Sequence, residues 1–177
     1  WSRAEVTVMD GDKLTVFLPA TGEVREVPAS AVCEVDETHL QNLPNVTDMN
    51  NLHEAPLLHL LRRRLEDQII YTWAGAVLIS VNPFEPALLG SSAFGRDVMK
   101  TYAEASGTAL GKLPPHIFAL AERAFSAMLG TGAPQAIVIS GESGAGKTEG
   151  KRQCCRRSPS RRRSVSPRLS CAARTHA

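Results

Sequence analysis

The chain has 177 residues, 43% hydrophobic and 21% charged, which is the composition of an ordinary globular protein with one or two small domains. No run of about 18 apolar residues occurs, so the sequence predicts no membrane-spanning helix. The net charge of +2 conceals an asymmetry, because residues 1–149 carry 11 Lys/Arg against all 18 acidic residues (net −7), whereas residues 150–177 carry nine Lys/Arg and no acid.

The first elements predicted along the chain are four short strands within residues 4–35. Turn residues at 10–12 and 19–22 separate segments in which apolar residues nearly alternate, as they do in half-buried strands. We expect these strands to form a meander that curls into a small barrel. The apolar positions are Val6, Val8, Leu14, Val16, Leu18, Val24, Val27, Val32 and Val35.

A helix and a pair of strands are predicted next. Leu57, Leu60, Leu61 and Leu65 fall on one face of a helix that tolerates Pro56 in its first turn. We interpret Arg62–Arg64 as its solvated face. Residues 69–84 are predicted to form two strands hinged near Ala74-Gly75. The second strand is predicted to end at Asn82-Pro83, because proline cannot donate a ladder hydrogen bond.

Two further helices and a strand lead to the region with the clearest chemistry. A short helix is predicted over 96–102 and a longer one over 113–130, where His116 is interpreted as a capping or surface residue. The continuous β-branched run at 136–140 predicts a central strand that is buried on both faces.

A phosphate-binding loop follows this strand directly. Glycines let the backbone bend so that successive N–H groups point at phosphate oxygens, and the helix that begins there adds a positive dipole. Lys147 is expected to reach the β- and γ-phosphates, and Thr148 to offer its hydroxyl to Mg²⁺. The pattern therefore predicts ATP and Mg²⁺ as ligands of Gly141, Glu142, Ser143, Gly144, Ala145, Gly146, Lys147 and Thr148.

Several segments, in order, resemble the myosin motor domain. "GESGAGKTE" (141–149) is similar to that family's version of the loop, and residues 46–84, with "IYTWAG" and "NPF", resemble its opening segment. Residues 113–128 are similar to the helix that precedes the nucleotide strand, and 4–35 resemble an SH3-like barrel. The resemblance implies an α/β fold: an SH3-like barrel over 1–36, N-terminally incomplete because the chain begins at Trp1, and then the first part of a P-loop NTPase motor core over 37–149.

The resemblance also implies further site residues and partners. Asn82 and Pro83 would begin the loop that holds adenine, actin would be the filament partner, and the location would be cytoplasmic, on the cytoskeleton. Two positions depart from the family pattern. Glu85-Pro86 stands where a basic residue is common, and Phe94 replaces a tyrosine, so no hydroxyl is available to hydrogen-bond to adenine.

A larger departure follows Glu149. The apolar continuation of the helix, the switch segments similar to "NxNSSRFG" and "DIxGFE", and the actin-binding regions do not occur in this sequence. Phosphoryl transfer depends on groups that position water and complete the metal shell, so we assign no catalytic residue and expect no useful hydrolysis from this chain alone. A nucleotide-binding module that does not hydrolyse ATP is the alternative function.

The basic segment 150–177 is predicted to be disordered because it combines nine Lys/Arg with almost no core-forming residue. Read-through of an intron or a frameshift is the favoured origin, since Gly150-Lys151 can be encoded by a sequence that contains the splice-donor start GTAAG. The alternatives are an RS-like segment that binds RNA or acidic partners and a divergent terminus. On the favoured interpretation nucleic acid is not a partner.

Overall fold

The computed structural model describes residues 1–105, 107–156 and 169–175. The strands are β1 (Glu5–Asp10), β2 (Lys13–Leu18), β3 (Glu23–Pro28), β4 (Tyr71–Ala74), β5 (Val77–Ser80), β6 (Gln135–Gly141) and β7 (Leu169–Thr175). The α-helices are α1 (Glu54–Glu66), α2 (Ser91–Phe94), α3 (Arg96–Glu104), α4 (Thr108–Lys112), α5 (Ile117–Thr131) and α6 (Lys147–Arg156), and 3₁₀ turns cover Ala29–Ala31, Glu37–Leu40, Val46–Asp48 and Pro86–Leu89.

The N-terminal segment forms an open antiparallel sheet in the order β1-β2-β3. It has three strands rather than the predicted four, because Pro28 ends β3 and is followed by a 3₁₀ turn, which leaves Val32 and Val35 outside any strand. Leu14 and Val16 of the central strand are buried, whereas every residue of β1 is exposed. The described residues of 1–36 therefore do not close into the predicted barrel.

The helix predicted around the four leucines is confirmed as α1, but its buried residues include an arginine that was expected to face solvent. Pro56, Leu60 and Arg64 are its buried residues, and Arg64 is only 4% exposed. The Arg64 guanidinium donates to the Thr72 hydroxyl and the Tyr71 carbonyl of β4 and to Asn42 and Leu43 of the preceding loop. The interpretation of Arg62–Arg64 as a solvated face is wrong for Arg64, which joins α1 to β4.

The predicted pair of strands at 69–84 is confirmed as an antiparallel hairpin in which Tyr71 pairs with Ser80 and Ala74 with Val77. Gly75 makes its turn possible, because its φ of +62° lies in the left-handed region that L side chains rarely adopt. The strand β5 ends at Ser80, just before Asn82 and Pro83. Both residues therefore lie directly after the hairpin, outside its strands.

The main hydrophobic core lies around α5. Phe118, Ala119 and Ala121 of this helix are fully buried against the hairpin, α3 and β6. The helix begins at Ile117 rather than at 113, because Nδ1 of His116 accepts the N–H of Phe118 and caps it, and Gly132 in the left-handed conformation ends it. His116 is thus the capping residue that was predicted, although it is buried among aromatic rings.

The strand β6 carries the phosphate loop at its end and pairs in parallel with β7 over its whole length. The prediction that β6 is buried on both faces is wrong, because Ile137 is buried while Val138 is 67% exposed. The helices α5 and α6 pack against β6, and the opposite face is uncovered by the described residues.

The prediction of disorder from residue 150 is wrong for two stretches of the basic segment. Residues 150–156 continue α6, in which Gln153 and Cys154 are each 1% exposed, and residues 169–175 form β7. The helix continues because Gly150, Gln153 and Cys154 share one face, where Gly150 lies against Ile139 and Ile117. Residues 157–168, with both Ser-Pro pairs, lie outside the described residues. No described helix is long and apolar enough to span a membrane.

Candidate functional site

The phosphate loop joins the end of β6 to the start of α6. Gly141 ends the strand, and Lys147 and Thr148 begin the helix. Gly144 and Gly146 have φ values of +81° and +86°, so each occupies a backbone region that favours glycine. The structure thus places all eight predicted residues, 141–148, in one strand–loop–helix turn, with the segment 142–146 exposed to solvent.

Lys147 bends back over this loop. Its Nζ donates a hydrogen bond of 2.6 Å to the carbonyl oxygen of Glu142, at the other end of the loop. The N–H of Ala145 also donates to Glu142, at 3.2 Å, and the N–H of Gly150 donates to Gly146 at 2.9 Å as the first turn of α6 forms. The ammonium group therefore lies against the loop backbone, and Thr148 stands exposed on the first turn beside it.

Asn82 connects the loop to the hairpin, although the two segments are far apart in sequence. Its Nδ2 donates 2.7 Å to the carbonyl oxygen of Gly144, across 62 residues of chain, and its Oδ1 accepts the N–H of Phe84 at 3.1 Å. A Cβ on Gly146 would lie 3.9 Å from the Asn82 side chain, so the loop passes close to it. The structure therefore brings Asn82 to the phosphate loop, with Pro83 next to it and partly buried.

Phe84 follows this pair and is 80% exposed, with a φ of +51° that is unusual for a residue with a side chain. Phe94, which the resemblance predicted to replace the family's tyrosine, is instead buried and makes edge contacts with the rings of Tyr71 and Phe118. The backbone of Phe94 accepts a hydrogen bond from Arg156 at 3.0 Å. In this structure Phe94 is therefore a core residue.

Glu149 is a residue that the motif alone did not single out. Its carboxylate accepts hydrogen bonds from Arg152 at 2.9 and 2.7 Å and from the amide of Gln153. The Arg152 hydrogen bonds are the main cause that holds the pKa of this carboxyl below its usual value. The spacing of Glu149 and Arg152, three residues apart on a helix, is the sequence signal for this pair.

The residues of the loop fit an ATP phosphate chain with Mg²⁺. An exposed loop with two glycines at positive φ leaves its backbone N–H groups accessible, and a lysine ammonium lies at its edge. Backbone N–H groups and one lysine are a donor set that binds phosphate oxygens, and a threonine hydroxyl at the start of the helix is a hard oxygen ligand of the kind that Mg²⁺ prefers. The chemistry of the donor set thus agrees with the predicted ligands.

Comparison with known proteins now identifies the class. The sequence profile of the family described as myosin head (motor domain) matches residues 43–156, which include the hairpin, Asn82, the loop and the whole of α6. The match covers more than half of the chain and defines its class as proteins with a myosin-type motor domain. The chain belongs to the myosin head (motor domain) family, and the predicted resemblance is confirmed.

Individual relatives agree with this assignment. The chain is 36% identical to myosin-J heavy chain of Dictyostelium discoideum over 151 residues, which are 84% of this chain and 6% of the relative. It is 39% identical over 152 residues to myosin-8 of Arabidopsis thaliana, covering 84% of this chain and 10% of the relative. It is 38% identical over 160 residues to unconventional myosin-Vb of Homo sapiens, covering 84% and 8%. The chain therefore spans about a tenth or less of the length of these relatives.

Proposed function

We propose that this chain carries the ATP-phosphate and adenine-side binding segments of an actin-based motor, in the cytoplasm on the cytoskeleton. The observation that supports the proposal most directly is the 2.7 Å hydrogen bond from Asn82 to Gly144, because it joins the two predicted nucleotide segments into one site. Asn82 therefore holds the predicted adenine-side segment beside the phosphate loop.

Different residues of this site bind different parts of Mg-ATP. The backbone of 141–146 and the Lys147 ammonium bind phosphate oxygens, and Thr148 supplies one oxygen ligand to Mg²⁺. Bound Mg²⁺ neutralises phosphate charge. To reach the phosphates, Lys147 exchanges its hydrogen bond with the Glu142 carbonyl for one with the nucleotide, so little backbone rearrangement is needed. Asn82 and Pro83 border the adenine side.

Hydrolysis and movement would require further groups. Among the described residues we assign none that positions an attacking water. We therefore propose Mg-ATP binding as the function of the described residues, with actin as the filament partner of the motor family to which the chain belongs.

The test is Mg-ATP binding to the full 177-residue chain by isothermal titration calorimetry. Lys147→Ala should weaken binding at least tenfold, or about 1.4 kcal/mol, because it removes the charge that contacts the phosphates. Lys112→Ala, which removes an exposed lysine at the end of α4, is the matched control and should change the affinity less than twofold. Equal affinities of the two variants, or no binding by the unmodified chain, would contradict the proposal.

A further inference from the structure

A cleft lies along the flank of α6, and none of the loop residues 141–148 lines it. Its volume is about 410 Å³, which falls within the range of about 300 to 1,000 Å³ that small-molecule sites occupy. It runs between α6 and the start of α3. Its lining includes Arg96, Arg152, Arg156, Gln153, Phe94 and Gly95.

The charges that line this cleft are all positive. Three guanidinium groups border it, and no acidic side chain is among its lining residues. Arg152 is paired with Glu149, which lies one turn earlier on α6. Arg96 is exposed, and within the described part of the chain its guanidinium has no hydrogen-bond or ion-pair partner. The cleft therefore retains a positive charge that its own residues do not neutralise.

The walls of the cleft are held in place by buried groups. NH1 of Arg156 donates 3.0 Å to the Phe94 carbonyl and 3.0 Å to the Oε1 of Gln153, and the amide of Gln153 donates in turn to Glu149. Gln153 and Phe94 are both buried. Arg156 is thus fixed by hydrogen bonds, which reduces the side-chain entropy that a ligand must overcome on binding.

We propose that this cleft, which we name the arginine cleft, is a second anion site that binds a small phosphate-bearing molecule. Guanidinium groups donate paired N–H bonds whose geometry matches phosphate oxygens, and three of them around one cavity suit a ligand with one or two phosphate groups. The arginine cleft is distinct from the phosphate loop and does not rest on the function proposed for that loop. Its occupant neutralises Arg96 and bridges α3 to α6.

The experiment uses the full chain with Lys147→Ala, which disables the phosphate loop, and inorganic pyrophosphate without Mg²⁺ as the calorimetric probe. Pyrophosphate should still bind. Adding Arg96→Gln should weaken binding at least fivefold, because it removes the unneutralised charge of the cleft. The control adds Arg62→Gln instead. Arg62 lies on α1, is exposed and carries the same charge as Arg96, but it is far in sequence from the residues that line the cleft. This substitution should change the affinity less than twofold.

Two results would overturn the proposal: no heat of binding in the Lys147→Ala chain, or equal affinities of its Arg96→Gln and Arg62→Gln derivatives. The same two arginine substitutions are compared in the unmodified chain, so a folding defect of Lys147→Ala does not leave the question open. Loss of Mg-ATP binding in Lys147→Ala concerns only the phosphate loop. The outcomes for the two sites are therefore separable.

Discussion

Arg64 offers the sharpest test of how this fold is held together, through the substitution Arg64→Met. The methionine keeps most of the apolar stem and removes the guanidinium, which makes hydrogen bonds to Thr72 (2.9 Å), Asn42 (2.7 Å), Leu43 (3.1 Å) and Tyr71 (3.0 Å). Two of these acceptors are backbone carbonyls, and leaving a buried polar group unpaired costs about 1–3 kcal/mol each. The free energy of unfolding should therefore fall by about 3–5 kcal/mol, a large part of the 5–15 kcal/mol typical of a domain.

The assay is equilibrium unfolding in urea, followed by the fluorescence of Trp73 and checked by far-ultraviolet circular dichroism. Trp73 reports the relevant region because it is buried in β4, where the Arg123 guanidinium lies 4.1 Å from its ring. The control is Arg62→Met, because the Arg62–Glu66 ion pair is exposed on the same helix and such pairs contribute about 0.3–0.5 kcal/mol. If the two variants unfold within 1 kcal/mol of one another, the structural role assigned to Arg64 is refuted.

Two further predictions concern protonation and backbone conformation. Burial lowers the pKa of His116 to about 4 from 6.5. As the pH falls from 6.5 towards 4, the unfolded chain therefore gains a proton on this side chain while the folded chain does not. The free energy of unfolding should drop by about 3 kcal/mol over that range. Urea titrations between pH 7.5 and 4.5 should show no such drop in His116→Asn, which keeps an N-cap acceptor. If the free energy of unfolding falls equally with pH in the unmodified chain and in His116→Asn, the prediction is contradicted. Gly130→Ala should raise the free energy of unfolding by about 0.5–1 kcal/mol, because a Cβ there meets open space within α5. Gly132→Ala should lower it by about 1–2 kcal/mol at a φ of +67°, and thermal melts that shift in the same direction for both variants would refute the reasoning.

The parts of this molecule that follow local rules could be predicted from the sequence. The hairpin was predictable because Gly75 lies between two apolar runs and Pro83 limits the second. The position of the loop between a strand and a helix was predictable because its spacing of glycine, lysine and threonine is typical of a strand–loop–helix turn. Such features depend on residues close together in the chain, which a single sequence displays directly.

The predictions were wrong where the structure depends on tertiary contacts, or where the prediction used the average composition of a long segment. The leucine stripe of α1 predicted its apolar face, but not that acceptors on β4 and the 42–43 loop would draw Arg64 into the interior. Composition averaged over 150–177 predicted disorder and hid the short face of Gly150, Gln153 and Cys154 that packs α6. The apolar run of β6 predicted two buried faces, because a pattern of residues does not reveal how many layers cover a strand.

The contact between Asn82 and Gly144 also bears on the order in which the molecule can assemble. During synthesis the loop emerges after the hairpin, and its carbonyl at Gly144 finds its partner in a segment made 62 residues earlier. Closing a loop of this length has an entropic cost, and prior formation of the hairpin lowers that cost because it already holds Asn82 in position. The conformation of the phosphate loop is therefore coupled through Asn82 to the folding of the hairpin, a segment far from the loop in sequence.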